Sequence, residues 1–339
     1  MAANFQEIVG LSRIKDRLKR TVAGNAVLNS YVFEGEPGSG KKTVARIFAS
    51  AVLCSGEGER PCGSCPACAK TMSGNHPDIL YVRKGKGKNT IGIDDVREQI
   101  MEQVYIKPFL AEKKFFIIED GDDLTPGAQN GLLKVLEEPP DYVVFILLVS
   151  KAGNLLDTVL SRSAVLTFLP LSCEEVCSCL RKSGGHTEEE VLFAAKFSQG
   201  IVGRAEAILQ SETFAEIYRQ TLKYMQALAA DRASATDFEK YLQEQRDQIK
   251  LVVDFMLVWV RDCLLIKCNL ESMVLCRDHL FELRAFCAKV TKKTLVRAMD
   301  SILQYQKKLS QNASFNAASL EMLLSIREGM DDTCSRSAV

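Results

Sequence analysis

Lys41 and the glycines around it carry the most specific chemistry in the chain. The segment Gly35-Glu36-Pro37-Gly38-Ser39-Gly40-Lys41-Lys42-Thr43 follows the apolar run Tyr31-Val32-Phe33 and precedes Val44-Ala45-Arg46-Ile47-Phe48-Ala49. A short buried strand, a glycine loop and an amphipathic helix form the context a phosphate-binding loop requires. The glycines let successive backbone N–H groups converge on phosphate oxygens. The helix N-terminus adds partial positive charge, and Lys41 reaches the outer phosphates. Residues 35–43 are therefore the candidate cradle for ATP or ADP. One position departs from the pattern: where Ser or Thr normally holds Mg²⁺ directly after the lysine, this chain has Lys42, with Thr43 displaced by one. A cation at that place removes an oxygen ligand and repels a dication, which argues against Mg²⁺.

Two further groups of residues could do chemistry. Lys113-Lys114-Phe115-Phe116-Ile117-Ile118-Glu119-Asp120 reads as a buried strand ending in two carboxylates. In phosphate-loop proteins such a strand lies beside the loop, its first acid positioning Mg²⁺ and its second polarising the attacking water. By spacing those roles fall to Glu119 and Asp120. Cys54, Cys62, Cys65 and Cys68 bring four thiolates together within fifteen residues, three of them as CxxCxxC beside Gly63 and Pro66. Cysteines two residues apart turn both sulfurs toward one ion, and four complete a tetrahedral S₄ shell. With no open coordination position visible, a structural Zn²⁺ is expected, and His76 is read as a non-ligand.

The elements that must position these residues follow from pattern. The chain has 339 residues, 47% hydrophobic and 25% charged, enough for two or three domains with cores of their own. Its 43 basic and 43 acidic residues cancel, so any DNA contact would have to be a local patch. Arg83-Lys84-Gly85-Lys86-Gly87-Lys88 is the candidate patch, at the tip of a hairpin or strand pair expected over 78–93; a solvated turn is the alternative. Asp94 and Asp95 open a helix at its positive end. A helix over Gln129–Glu138 stops at Pro139-Pro140, and Tyr142–Val149 reads as a fully buried strand. Alternating strands and helices imply a parallel sheet covered on both faces. Beyond Pro170 the pattern is helical throughout, with helices expected near 213–230, 235–268, 277–309 and 317–329. The N-terminus lacks a signal peptide's basic segment and apolar core, and Asp254, Arg261 and Asp262 interrupt the most apolar later stretch. Twelve cysteines without a secretory signal favour metal binding and buried thiols over disulfides, so no membrane association and a cytoplasmic location are expected.

The combination resembles the clamp-loader branch of the AAA+ ATPases, over nearly the whole chain. The resemblance rests on the loop at 35–43, the cysteines at 54–68, His76-Pro77-Asp78, and Ile91-x-Ile93-Asp94-x-x-Arg97. It continues through Glu119-Asp120, Asn130-Gly131-Leu132-Leu133-Lys134-x-Leu136-Glu137-Glu138-Pro139-Pro140, Leu160-Ser161-Arg162, and Asn316 to Leu324. Three features depart from the branch. Its Ser-Arg-Cys reads Ser161-Arg162-Ser163 here, the pair often His-Ala before the first strand is Ser30-Tyr31, and the acid pair is Glu-Asp rather than Asp-Glu. The reversed acids and Lys42 make the chain more similar to the delta-prime type than to the gamma/tau motor type.

The resemblance implies an AAA+ phosphate-loop domain at 1–169 with an inserted zinc module at 54–68, an α/β fold followed by all-α parts. Those parts are a helical lid at 170–211 and a helical collar at 212–330, with a tail at 331–339. It implies gamma/tau and delta subunits as partners in a pentamer that loads a sliding clamp onto primer-template DNA. Arg162 would then be an arginine finger acting on a neighbour's ATP, whereas by sequence alone it reads as a surface ion pair. Arg204 resembles a lid arginine that touches nucleotide in the same subunit, or else is a helix N-terminal residue. Two readings stay open for the chain's own loop: a nucleotide binder that does not hydrolyse, or an ATPase run in cis by Lys41, Glu119 and Asp120.

Overall fold

The computed structural model describes residues 4–85, 87–228, 234–276, 279–311 and 313–334. Two compact units divide the chain, residues 1–209 and 210–339. In the first, β1 (Ser30–Glu34), β2 (Ile79–Val82), β3 (Lys114–Ile118), β4 (Val143–Val149) and β5 (Ala164–Thr167) form one sheet in the order β2-β3-β4-β1-β5. Every pairing is parallel. Glu34 lies opposite Val149 and Thr167, and Ile118 opposite Val82 and Leu147, so the segments after all five strands emerge at one edge. Ligands of open α/β sheets bind at that carboxyl edge.

The continuous apolar runs in β3 and β4 arise because both faces of the sheet are covered. Alternation splits each run. Phe115, Ile117, Val144 and Ile146 face one core with α1 (Ser12–Ala23) and α2 (Lys41–Leu53), where Phe48 packs edge-on against Tyr31 and Phe115. Phe116, Ile118, Phe145 and Leu147 face the other. That second core includes α4 (Ile93–Val96), which continues through a π turn at Arg97–Met101 into α5 (Glu102–Val104), and α6 (Pro126–Glu137). Between α2 and β2 lies α3 (Pro66–Met72), with Cys65 at its N-cap. The short α7 (Asp157–Leu160) precedes β5, and α8 (Cys173–Ser183), α9 (Glu188–Phe197) and α10 (Val202–Gln210) follow it.

The stretch 78–93 is not a hairpin or strand pair. It holds the single strand β2, paired in parallel with β3, and Ile91 makes only an isolated bridge to Leu124. Ile79 and Val82 bury their side chains in the two opposite cores of the sheet and the β2 backbone pairs with β3, so no antiparallel partner is needed. Lys86 of the expected basic tip lies outside the described residues.

The second unit is helical: α11 (Glu212–Leu228), α12 (Ser234–Glu244), α13 (Ile249–Lys267), α14 (Leu280–Lys289), α15 (Lys292–Ser310) and α16 (Phe315–Cys334). Two helices expected as continuous are each divided. The 235–268 stretch breaks at a 3₁₀ turn over Arg246–Gln248, and the 277–309 stretch breaks at Val290, where extended backbone leads to the Thr291 N-cap. The Thr291 hydroxyl accepts from the Thr294 amide and so starts a new helix. Asp262, one of the charges interrupting the apolar α13, is buried and accepts the amides of Leu275 and Cys276 at 2.9 and 2.8 Å. Among the described residues no helix is long and apolar enough to cross a membrane.

Candidate functional site

The loop between β1 and α2 is bent by glycines at two places that need them. Gly38 and Gly40 take φ of 83° and 89°, the left-handed region that L side chains rarely adopt. At Gly38 the backbone is also crowded. The Gly203 amide donates to its carbonyl at 2.9 Å, and a Cβ on Gly203 would stand 2.8 Å from the Gly38 Cα. The start of α10 therefore rests directly on the loop, glycine against glycine.

A cleft of about 690 Å³ opens at the carboxyl edge, lined by Pro37, Gly38 and Gly40 to Thr43 from the loop. Glu119, Asp120, Asp122 and Asp123 enter it from beyond β3, and Val202, Gly203 and Glu206 from α10. Gly35, Glu36 and Ser39 shape the loop without lining the cleft, and the charged α10 side chain that lines it is Glu206 rather than Arg204. Lys41 donates to the Gly35 carbonyl and, at 2.9 Å, to that of Glu36. Burial lowers its pKa, with Asp122 and Glu36 acting against that shift.

Glu119 is the best-held acid of the cleft, and its partners are cations of this same chain. Lys42 Nζ lies 2.8 Å from Oε1, while Arg83 donates Nη2 to Oε1 and Nε to Oε2, both at 3.0 Å. Burial pushes the Glu119 carboxyl upward, but the bonds from Arg83 and Lys42 outweigh it and hold the group below the usual carboxylate range. Arg83 is itself fixed. Its amide and carbonyl are bonded to the side chain of Gln99, and its guanidinium lies 5.5 Å above the Tyr81 ring. Lys84 pairs with Asp123 at 2.6 Å and approaches Asp120 at 4.0 Å; Lys88 pairs with Asp95 at 2.9 Å. The described cations of the basic tip thus face acids of the fold.

Further carboxylates tie the edge together. Glu34 accepts from the Ala152 amide and the Thr167 hydroxyl, and Asp122 accepts from the Ser150 amide and Asn154. Buried Gln129 bonds the carbonyls of Leu124 and Asn154 and the amide of Leu156, which sets the entry into α7. Just past α7, Arg162 donates to the Thr158 carbonyl at 2.9 Å and to Glu137 at 2.8 Å. Both members of that pair are well exposed, 35% and 49% of their side chains. The two departures Ser30 and Ser163 meet, Oγ to Oγ at 2.7 Å.

The four cysteines converge as their spacing predicts. Their sulfurs all lie within 4.8 Å of one another, with Cys54–Cys65 at 3.9 Å and Cys62–Cys68 at 4.0 Å. A tetrahedral zinc with Zn–S near 2.3 Å has sulfur–sulfur edges of about 3.8 Å, so the cluster fits that ion. Backbone amides of Cys62, Cys65 and Cys68 point at the sulfurs of Cys54, Cys62 and Cys65, each at 3.4 Å. Such donors favour thiolate, and the Ser64 and Cys65 amides lower the pKa of Cys62. An ion held by all four sulfurs would keep no coordination place for a substrate. His76 stays outside the cluster; its Nδ1 accepts the Asp78 amide at 3.2 Å.

Arg83 was expected at a basic tip facing DNA or solvent; its pairing with Glu119 and the Gln99 side chain that holds it were not legible from motifs. The available signal was register. Val82 pairs with Ile118, so the next residues on the neighbouring strands, Arg83 and Glu119, must meet.

Comparison with known proteins gives a consistent set of relatives. Residues 10–172 match the model of a family described as DNA polymerase III, delta subunit. The DNA polymerase III subunit delta′ of Bacillus subtilis is 26% identical over 336 residues, spanning 97% of this chain and 100% of that protein. The gamma/tau subunit of Mycoplasma pneumoniae is 37% identical over 158 residues, 47% of this chain and 23% of that protein. The tau subunit of Bacillus subtilis is 28% identical over 78% of this chain and 50% of its own length. Among solved structures, a gamma subunit-related protein of Thermotoga maritima aligns over 93% of this chain and 99% of its own, at 20% identity and a TM-score of 0.46.

Proposed function

We propose that the chain is a member of the family of DNA polymerase III delta-prime and gamma/tau subunits, which its matches support, and that it is a non-motor subunit of a clamp loader. In this reading it assembles with gamma/tau and delta subunits in a pentamer in the cytoplasm. The pentamer opens the sliding clamp and closes it on primer-template DNA. Residues 170–211 serve as the lid and 212–330 as the collar that joins the ring.

The catalytic contribution is Arg162, offered to ATP held by a neighbouring subunit. The observation that carries this is the contrast in how charges are held. Glu119 is clamped by Lys42 and Arg83, whereas Arg162 has one exposed carboxylate partner. An exposed pair contributes about 0–1 kcal/mol, so Arg162 can exchange Glu137 for phosphate oxygens at little cost. A planar, permanently charged guanidinium suits a developing negative charge, and where such fingers are measured they contribute on the order of 10³–10⁵ in rate. Arg162→Ala should cut the ATPase of a reconstituted loader while leaving assembly intact; unchanged turnover would refute the assignment.

The zinc is structural in this reading. Cys54, Cys62, Cys65 and Cys68 would hold it, and it would pin the segment between α2 and α3. The competing reading, ATP hydrolysis in cis, draws on Lys41, Thr43, Glu119 and Asp120 sharing one cleft. Turnover by the isolated chain with Mg²⁺, abolished by Lys41→Ala, would favour it.

A further inference from the structure

The carboxylate that would receive a divalent cation is already occupied by protein. Magnesium requires near-ideal octahedral oxygen coordination at about 2.0–2.1 Å and is usually held by one or two carboxylates beside substrate phosphates. At this site the residue following Lys41 supplies an ammonium instead of a hydroxyl. Glu119 receives three N–H donors on its two oxygens: Lys42 at 2.8 Å, and Arg83 twice at 3.0 Å. Two neighbouring acids are committed as well, Asp122 to the Ser150 amide and Asn154, and Asp123 to Lys84. Beyond β3 that leaves Asp120, 4.0 Å from Lys84, with Thr43 lining the same cleft, and with an ammonium at position 42 this donor set fits Mg²⁺ poorly.

The same arrangement does bring positive charge to the phosphate loop. Lys41 and Lys42 both line the cleft, and the glycine loop keeps the shape of a phosphate cradle. Arg83 cannot easily leave Glu119, because Gln99 fixes its backbone on both sides and Tyr81 lies under its guanidinium. Both cations share the mostly buried Glu119 (14% of its side chain is exposed), but the arginine holds it with two bonds and the lysine with one, on a flexible stem. Arg83 thus neutralises Glu119, and Lys42 becomes the mobile member of the cluster, able to swing onto phosphate oxygens.

We infer that this cleft binds a nucleoside di- or triphosphate without a divalent cation, with Lys42 and the Arg83–Glu119 pair in the place the metal would fill. This rests on the reading of residues 35–43 as a nucleotide cradle and goes beyond it by fixing the ionic form of the ligand. It also explains why a bound nucleotide would not turn over: no metal draws charge from the γ-phosphate, and Glu119 is spent on arginine.

The test is binding of a fluorescent ATP analogue to the full chain, followed by anisotropy in buffer with Mg²⁺ and in buffer with EDTA. The expected result is Kd values that agree within about 2-fold, well under the tenfold step that corresponds to about 1.4 kcal/mol. The double variant Lys42→Thr/Arg83→Ala should bind at least about 10-fold more weakly in EDTA and recover when Mg²⁺ is added. Both side chains are exposed, so the variant should fold, and the wild-type comparison stands without it. Loss of wild-type affinity in EDTA by about 10-fold or more would overturn the inference, as would a double variant indifferent to Mg²⁺. Absence of binding in both buffers would also overturn it, yet would leave the role of Arg162, read in the assembled loader, untouched.

Discussion

Two charged clusters at opposite ends of the strands are built in opposite ways, Glu119 just after β3 at the carboxyl edge and Arg162 just before the start of β5. At Glu119 the acid is mostly buried, two cations converge on it, and one of these is held by Gln99 and Tyr81. At Arg162, the proposed functional group, the acid partner Glu137 is half-exposed, and the Thr158 carbonyl and the Ser161 hydroxyl oxygen accept its other bonds. A carboxylate satisfied three times over in a partly desolvated place is not available for other chemistry. A guanidinium whose one carboxylate partner is screened by solvent can exchange that partner for another anion. The first cluster is a lock, and the second is, in the function proposed above, a group held ready.

The comparison can be sharpened by experiment, beginning with the largest expected effect. Arg162→Lys should lose most of the rate lost by Arg162→Ala in a reconstituted loader, on the order of 10² or more, because an ammonium cannot present the same fork of donors. Rescue by lysine would reduce Arg162 to a mere positive charge.

Next is the framework that carries the loop helix. Cys65→Ser, or prolonged chelation, should release zinc measurable by elemental analysis. It should lower Tm by roughly 10 °C, for a cost of about 3–5 kcal/mol at 2–4 °C per kcal/mol. A full-length protein that holds no zinc when purified would contradict the metal assignment. Gly203→Ala then probes the contact of α10 with the loop. A Cβ 2.8 Å from the Gly38 Cα must displace backbone, costing about 1–3 kcal/mol in thermal unfolding.

A smaller effect separates the two clusters by pH. Arg83 and Lys42 depress the folded-state pKa of Glu119 below its unfolded value of 4.5. The stability this provides is present above pH 4.5 and is lost as pH falls through the lower folded value. Wild type should therefore exceed Glu119→Gln in Tm at pH 7, and the gap should narrow as pH falls below 4.5. The smallest effect belongs to Glu137→Gln, which should change stability by no more than about 1 kcal/mol and leave loader turnover near wild type. A large loss there would mean that Glu137 orients the arginine rather than merely holding it.

How much of this could be read in the chain depends on how local each signal is. The glycine loop and the cysteine cluster are short contiguous patterns, and both form in the structure as their spacing demands. The strands β3 and β4 announce themselves as unbroken apolar runs because both faces are buried. By contrast, the Arg83–Glu119 pair spans thirty-six residues and depends on β2 pairing in parallel with β3, which the alternation around 78–93 disguised as a hairpin. The divisions at Gln245 and Val290 were missed because apolar periodicity runs through them, and the breaks are set by local backbone and the Thr291 cap. The Ser30–Ser163 contact joins residues that sequence reading could note only as separate departures.

The most direct test places two variants of this chain in the same reconstituted loader and measures ATP turnover on primed DNA with clamp. The account predicts that Arg162→Ala sharply lowers the rate while Lys41→Ala leaves it near wild type. The reverse pattern, Lys41→Ala disabling turnover and Arg162→Ala sparing it, would show that this chain fires its own ATP and would contradict the account.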